Sequence, residues 1–467
     1  MAPLGSKQDM SDEDKSLLEF IAGRKGAAEK LHRQYRPRWD IFYGLHRNYR
    51  KLRRGHSDAT NQRDRDEVLR EFQRVFGTEL FIPYVFATIE TVVPAVVSQN
   101  PRMLVRANKP EAEEHVKAME QRFEYDQAEI DYDLTIQKVV RSGLKYGLGV
   151  QKTFWERDVR TGPYNTPGRL NRKKVVTKQG TIVLREGPQA EWVDIYDWFW
   201  DPAGSSIKTC GYAIHRTWRT QEYVKARSGN EWAELDLEKV KGLRKEGGDD
   251  AVWAGRRESL NLADSGVGRA LHEVWEYHDG SRVVTVLDQE LIVQGGEEDR
   301  KKGKDRTPFF HQELPFQIYR PTLQEGEMVG IGEAEPIAHL QFELNEMRGQ
   351  RRKAATLALN RGYFYQDGFL DPAEAMTGSG VFVPVTGDPR ESIYAMPFED
   401  LPASSVSEEQ ALKNDIELAS GISDTVAGTA PQTSSTTATG TQLIQAAANK
   451  RINQKSKNLS QLSLIHI

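Results

Sequence analysis

The chain has 467 residues, 64 of them basic and 68 acidic, for a net charge of −4 at neutral pH. That length supports two or three domains with a sizeable core, and the acidic balance speaks against a dedicated DNA binder that grips phosphates. The single cysteine, Cys210, excludes a disulfide framework and a multi-cysteine zinc site. The polar start MAPLGSKQDMSDEDK lacks the apolar run of a secretory signal. The most apolar stretch, Phe81 to Val97, carries Glu90 and two prolines, so no membrane span is expected. These features predict an intracellular, soluble protein.

Residues 15 to 55 predict a helix, with Leu17, Leu18, Ile21, Leu31 and Tyr35 at three-to-four-residue spacing. Its second half interleaves Arg33, Arg36, Arg38, Arg47, Arg50, Arg53 and Arg54 with Tyr35, Trp39, Phe42, Tyr43 and Tyr49. Such a pattern suits nucleic-acid contact, but it equally suits an amphipathic helix whose arginines pair with acids on a neighbour. The negative total charge favours the second reading. Residues 81 to 99 predict a buried helix entered through Pro83 and broken at Asn100-Pro101. A second long helix is expected over 110 to 146, with Glu111, Glu113 and Glu114 in its first turn. Val116, Met119, Phe123, Ile130, Leu134 and Val139 are its core positions. Glu124, Asp126, Glu129, Asp131 and Asp133 read as its solvated face and not as a metal site.

From Gly147 the period changes. Residues 175 to 184 predict a hairpin about Gln179-Gly180, and residues 271 to 294 a second about Asp279-Gly280. Between them lie a strand, an Asp201–Gly204 turn, another strand and a short helix capped by Thr220. Residues 297 to 306, EEDRKKGKDR, read as a solvated, mobile loop.

Residues 333 to 360 return to helix, ~40 Å long. Ile337, Leu340, Leu344 and Met347 form a narrow stripe, and Arg348, Arg351, Arg352 and Lys353 crowd the last part. Residues 362 to 402 form a compact Gly-, Pro- and Asp-rich unit with strands at GVFVPV and SIYAMPF. A helix over 406 to 420 opens on a Ser405–Glu408 capping box, turns Leu412, Ile416 and Ala419 inward and stops at Gly421. Residues 428 to 440 are a low-complexity loop. The helix over 441 to 459 is Ala-rich and basic. The last six residues, LSLIHI, match one translation of a transposon end used in sequencing libraries, so they are expected to be non-native.

Catalytic signatures are absent from the sequence. Asp305 follows Gly303-Lys304 where a phosphate-binding loop needs Ser or Thr. Gly147-Leu148-Gly149 and Gly330-Ile331-Gly332 each lack the third glycine of a dinucleotide fingerprint. No G-x-S-x-G, HExxH or EF-hand pattern occurs, and the ten histidines are scattered and read as structural. The expectation is no enzyme, no cofactor and no metal.

The order of elements over 333 to 450 carries a resemblance. A helix with Leu340-Gln341 and Leu344-Asn345 ends in a basic run; a small β-containing insert follows; a helix ends in Ala419-Ser420-Gly421-Ile422-Ser423-Asp424; a Thr/Ser/Gly loop and an Ala-rich helix close the series. This resembles the portal (head-to-tail connector) protein of tailed bacteriophages. Upstream, Asn100-Pro101 and the Asp201-Pro202 turn with its following strand and short helix also look like that family.

The resemblance implies an α+β fold. It comprises a helical and β-hairpin wing over 1–332, a stem helix over 333–361, a clip over 362–403, a second stem helix over 404–423, a tunnel loop over 424–440, a C-terminal helix toward the crown over 441–461 and a non-native tail over 462–467. It implies a homo-oligomeric ring of about twelve subunits at one capsid vertex, in the virion and, during assembly, the host cytoplasm. Double-stranded DNA would pass through during packaging and ejection, and the ring would nucleate the procapsid. Implied partners are the terminase large subunit, scaffold and major capsid protein, and head-completion or adaptor proteins, with no membrane. Arg348, Arg351, Arg352, Lys353, Thr433, Ser434, Ser435 and Thr436 are candidates for the channel wall. Asp367, Asp371 and Glu374 are candidates for docking the terminase or adaptors. Against the channel role stands pairing of the four cations with acids of the adjacent subunit. Two other functions remain open at this point: another virion assembly protein (an adaptor or minor capsid subunit), and a DNA-processing enzyme of a mobile element.

Overall fold

The computed structural model describes residues 9–47, 82–98, 110–167, 175–229, 232–236, 240, 271–301, 313–359, 363–365, 393–395, 404–421 and 450–460. They form a mixed helix-and-sheet fold, consistent with the expected α+β class. Helix α1 (Asp12–Arg47) starts where Ser11 Oγ accepts from Asp14 N at 3.1 Å and three acids face the positive helix end. It serves two cores. Leu18, Ile21 and Ala28 bury against a five-stranded sheet, whereas Trp39, Phe42 and Leu45 bury among other helices. The arginine-and-aromatic pattern therefore resolves into packing in its described part: Trp39 is 1% exposed, and Arg38 lies 3.6 Å from Glu335. Arg50, Arg53 and Arg54 fall outside the described residues.

Helix α2 (Tyr84–Val97) is buried as its sequence predicts, through Val85, Ile89, Val92, Val93 and Val96. The single helix expected over 110 to 146 is instead two, α3 (Glu113–Glu129) and α4 (Tyr132–Tyr146). Asp131 between them takes a left-handed φ of 49° that no continuous helix accommodates. None of α3's described residues is buried, and Met119 is exposed; acids on nearly every turn leave it no broad apolar face. In α4, Ile136, Val139, Val140 and Leu144 are buried, while Leu134 is exposed.

Strands β1 (Gly149–Pro167) and β2 (Val175–Val193) pair antiparallel along their length. No turn forms at Gln179-Gly180, which corrects the hairpin expected there: Gly180 pairs opposite Gly162 in the middle of the ribbon. The β-branched residues on both sides of Gly180 make one strand. Next comes an antiparallel meander of β3 (Trp198–Trp200), β4 (Tyr212–Thr220), β5 (Leu271–Asp279), β6 (Val283–Leu287) and β7 (Leu291–Gln294). Its Asp279-Gly280 turn and its Thr220 cap agree with the sequence: Thr220 Oγ1 accepts from Tyr223 N at the start of α5 (Gln221–Arg227). Residues 297–301, expected as loop, are the short helix α6 (Glu297–Lys301), held where Glu297 N donates to Asp14 Oδ1 at 2.8 Å. Strand β8 (Phe316–Tyr319) adds to β1 only over 149–152.

An ionic layer joins the two sheets. Lys152 of β1 pairs with Glu276 of β5 and lies 3.9 Å from Glu191 of β2. His215 and His278 flank the Phe316 ring. Burial pushes the His215 imidazole down to about 3, with the Lys152 charge adding to the effect.

Candidate functional site

The candidate conduit segment begins at a backbone joint. Gly147, at φ 84°, ends α4, and an added Cβ there would collide with the Gly330 carbonyl. Gly330 N donates to Gly147 O at 3.1 Å, and Glu333 N donates to Leu144 O at 2.7 Å. The two Gly-x-Gly motifs that fail as dinucleotide fingerprints are thus two halves of one close contact. It fixes the start of α7 (Ala334–Leu359).

Along α7, Ile337 and Leu344 are fully buried, and Leu340 and Met347 partly so, as the stripe predicts. Two amides share that stripe. Gln341 Oε1 accepts from Val85 N at 3.0 Å while its Nε2 donates to Ile82 O at 2.6 Å. Asn345 Oδ1 accepts from Ile82 N at 3.0 Å. These bonds satisfy the first turn of α2, whose Pro83 supplies no side-chain cap. The sequence signal was two amides four residues apart on an otherwise apolar face.

Beyond α7, β9 (Tyr363–Tyr365) and β10 (Ile393–Ala395) pair antiparallel, so the insert leaves α7 and returns toward α8 (Ser404–Ser420). Helix α8 begins at Ser404, so Ser405 lies inside it and not at the expected cap. It ends as expected at Gly421, at φ 68°. The strand expected at 380–385 falls outside the described residues.

The four cations of α7 divide into two pairs. Arg348 Nε donates to Glu409 Oε1 at 2.9 Å, Arg351 pairs with Glu409 Oε2, and Lys413 reaches the same carboxylate at 2.9 Å. Burial alone would raise the Glu409 pKa. The hydrogen bonds and charges of Arg348 and Lys413 outweigh it and hold the carboxyl at about 2. Arg352 and Lys353 are exposed. An open groove of about 1260 Å³ runs past Arg348, Arg351, Val406, Glu409 and Asn414. Sequence reasoning missed Glu409, taking its neighbour Glu408 for a capping acid. Asp367, Asp371, Glu374, Thr433, Ser434, Ser435 and Thr436 fall outside the described residues.

A final helix, α9 (450–460), ties the ends together. Lys455 Nζ lies 2.5 Å from Glu333 at the glycine joint, both side chains being buried. Arg451 donates to Leu418 O at 3.2 Å, and Asn458 to Pro321 O at 3.1 Å. Among the described residues no cluster of three His, Cys, Asp or Glu could hold a metal ion, and no helix is long and apolar enough to cross a membrane.

No curated protein matches the chain. Residues 303–467 match the family model described as "Phage SU10 portal protein". That span takes in α7, the insert, α8 and α9, and the match supports a phage portal protein.

Proposed function

We propose that the chain is a portal subunit that closes into a ring at one capsid vertex and conducts DNA. The observation that carries this reading is the coincidence of the matched span with an α7–insert–α8 excursion tied by one ionic seam. In this reading 1–332 is the wing, α7 and α8 are the stem, the insert 362–403 is the clip that meets terminase and adaptors, 424–440 is the tunnel loop, and α9 belongs to the helix leading toward the crown. Asp367, Asp371 and Glu374 would dock partners, and Thr433 to Thr436 would line the tunnel. The scaffold and major capsid protein would meet the wing.

Arg348 and Arg351 support the stem by clamping Glu409. Arg352 and Lys353, exposed on α7, are candidates for the DNA-facing wall. Sparse cations suit a conduit, because each phosphate neutralised adds counterion release and retards sliding. Packaged DNA per head tests the assignment. Arg352→Glu with Lys353→Glu should lower packaging or retention severalfold while leaving thermal unfolding unchanged. Full packaging by that variant would remove these residues from the channel wall.

A further inference from the structure

The groove between α7 and α8 holds more positive charge than its own acid balances. Arg348, Arg351 and Lys413 line it, and Glu409 is the one acid among the described residues of its wall. That carboxylate is 7% exposed and stays ionised, so three cations against one anion leave the wall with a net charge of +2. The contact does not exhaust the donors. Arg348 uses Nε and Nη2 on Glu409, and Arg351 uses Nη1, so each guanidinium keeps N–H groups for another acceptor. The first turn of α8 reaches the groove at Val406, where the positive end of the helix adds to the same field. Val406 itself is 55% exposed, and the exposed Asn414 amide shares the wall.

We propose that this groove is a docking site for an acidic peptide segment of a partner protein, which sets an Asp or Glu carboxylate against Arg348, Arg351 and Lys413 and an apolar side chain on Val406. Charge complementarity selects the carboxylate, because a second anion meets the unused guanidinium donors in the way that Glu409 meets the others. The mixed wall selects a peptide over duplex DNA. A phosphodiester backbone offers nothing apolar to Val406, and the three cations are drawn toward Glu409, leaving their side chains only 27–37% exposed. The groove belongs to a single chain, so the site exists whether or not copies close into a ring.

Fluorescence anisotropy tests the site with a labelled peptide alternating Asp with Leu, the same peptide with Asn for Asp, and a labelled duplex DNA. Asn414→Asp adds an acid to the wall and keeps the acceptor that Gln410 uses. Lys413→Gln removes a cation while both arginines still hold Glu409. Gln121→Asp, on exposed α3, makes the same change of charge as Asn414→Asp away from the groove. Each groove variant should weaken the acidic peptide about threefold to fivefold, and Gln121→Asp should leave it unchanged. The Asn peptide should bind the wild type about tenfold more weakly, and thermal unfolding serves as the fold control. No binding of the acidic peptide by the wild type, equal binding of the Asn peptide, or unchanged affinity in the groove variants would each overturn the proposal. So would an equal loss in Gln121→Asp, which would make the effect one of total charge. Duplex binding that weakens in the groove variants while peptide binding does not would assign the groove to nucleic acid instead.

Discussion

Glu409 is the residue on which α7 and α8 meet. Its carboxylate takes Arg348, Arg351 and Lys413 together, so it links two cations on α7 to one on α8. Because its folded pKa is held near 2, below its ordinary 4.5, the bond contributes stability above about pH 4.5 and loses it as pH falls toward 2. Glu409→Gln should cost about 2 kcal/mol and flatten that acid limb, as urea unfolding at pH 7 and pH 3 would register. Equal midpoints for wild type and variant at pH 7 would contradict the role.

Histidines give a second limb at higher pH. His32 sits among Trp39, Phe199 and Trp200, and burial lowers it to about 3; His46 is lowered to about 4 for the same cause. Both are depressed from 6.5, so the stability that they contribute is complete above pH 6.5 and declines as pH falls toward 3 to 4. His46→Asn should reduce the slope of stability against pH between 6.5 and 4. An unaltered slope would show that the ring is not held neutral. Scattered spacing in the sequence correctly reads these histidines as structural, but no local pattern reveals which aromatic partners surround them, since Phe199 and Trp200 come from a distant strand.

At the scale of elements, α7 is a spine that both buries a stripe and caps a neighbour. Gln341→Leu keeps the volume and removes two amide hydrogen bonds at the start of α2, leaving Val85 N without its partner. The expected loss is about 1–2 kcal/mol, with faster hydrogen exchange confined to the first turn of α2. Uniform acceleration across the molecule, or none, would contradict that assignment. Element types were largely readable from sequence: the Asp279-Gly280 hairpin, the Thr220 cap, the α7 stripe and the Gly421 stop all rest on local chemistry. The failures were non-local. Gly180 lies in mid-strand because Gly162 lies opposite, and the α3–α4 break depends on one left-handed Asp131. The Glu409 clamp joins residues some sixty positions apart, so neither helix alone announces it.

Across the whole molecule, charge is distributed unevenly. The total is slightly acidic, α3 sets six acids against Lys117 and Arg122, and Arg348 and Arg351 of α7 are engaged by Glu409 within the chain. The matched span is also tied to the residues before it. Glycines 147 and 330 interlock, and Arg38 approaches Glu335, so the start of α7 is held by α1 and by the end of α4. Gly147→Ala, which adds a Cβ at a positive φ into the Gly330 carbonyl, should destabilise the protein by about 3 kcal/mol and lower its melting temperature.

The ring is the central claim, and its mass tests it most directly. Native mass spectrometry of the purified chain, with negative-stain images of the same sample, should give a closed oligomer of roughly twelve copies with a central hole. A species that stays monomeric or dimeric across the whole concentration range, with no annular particles, would contradict the account.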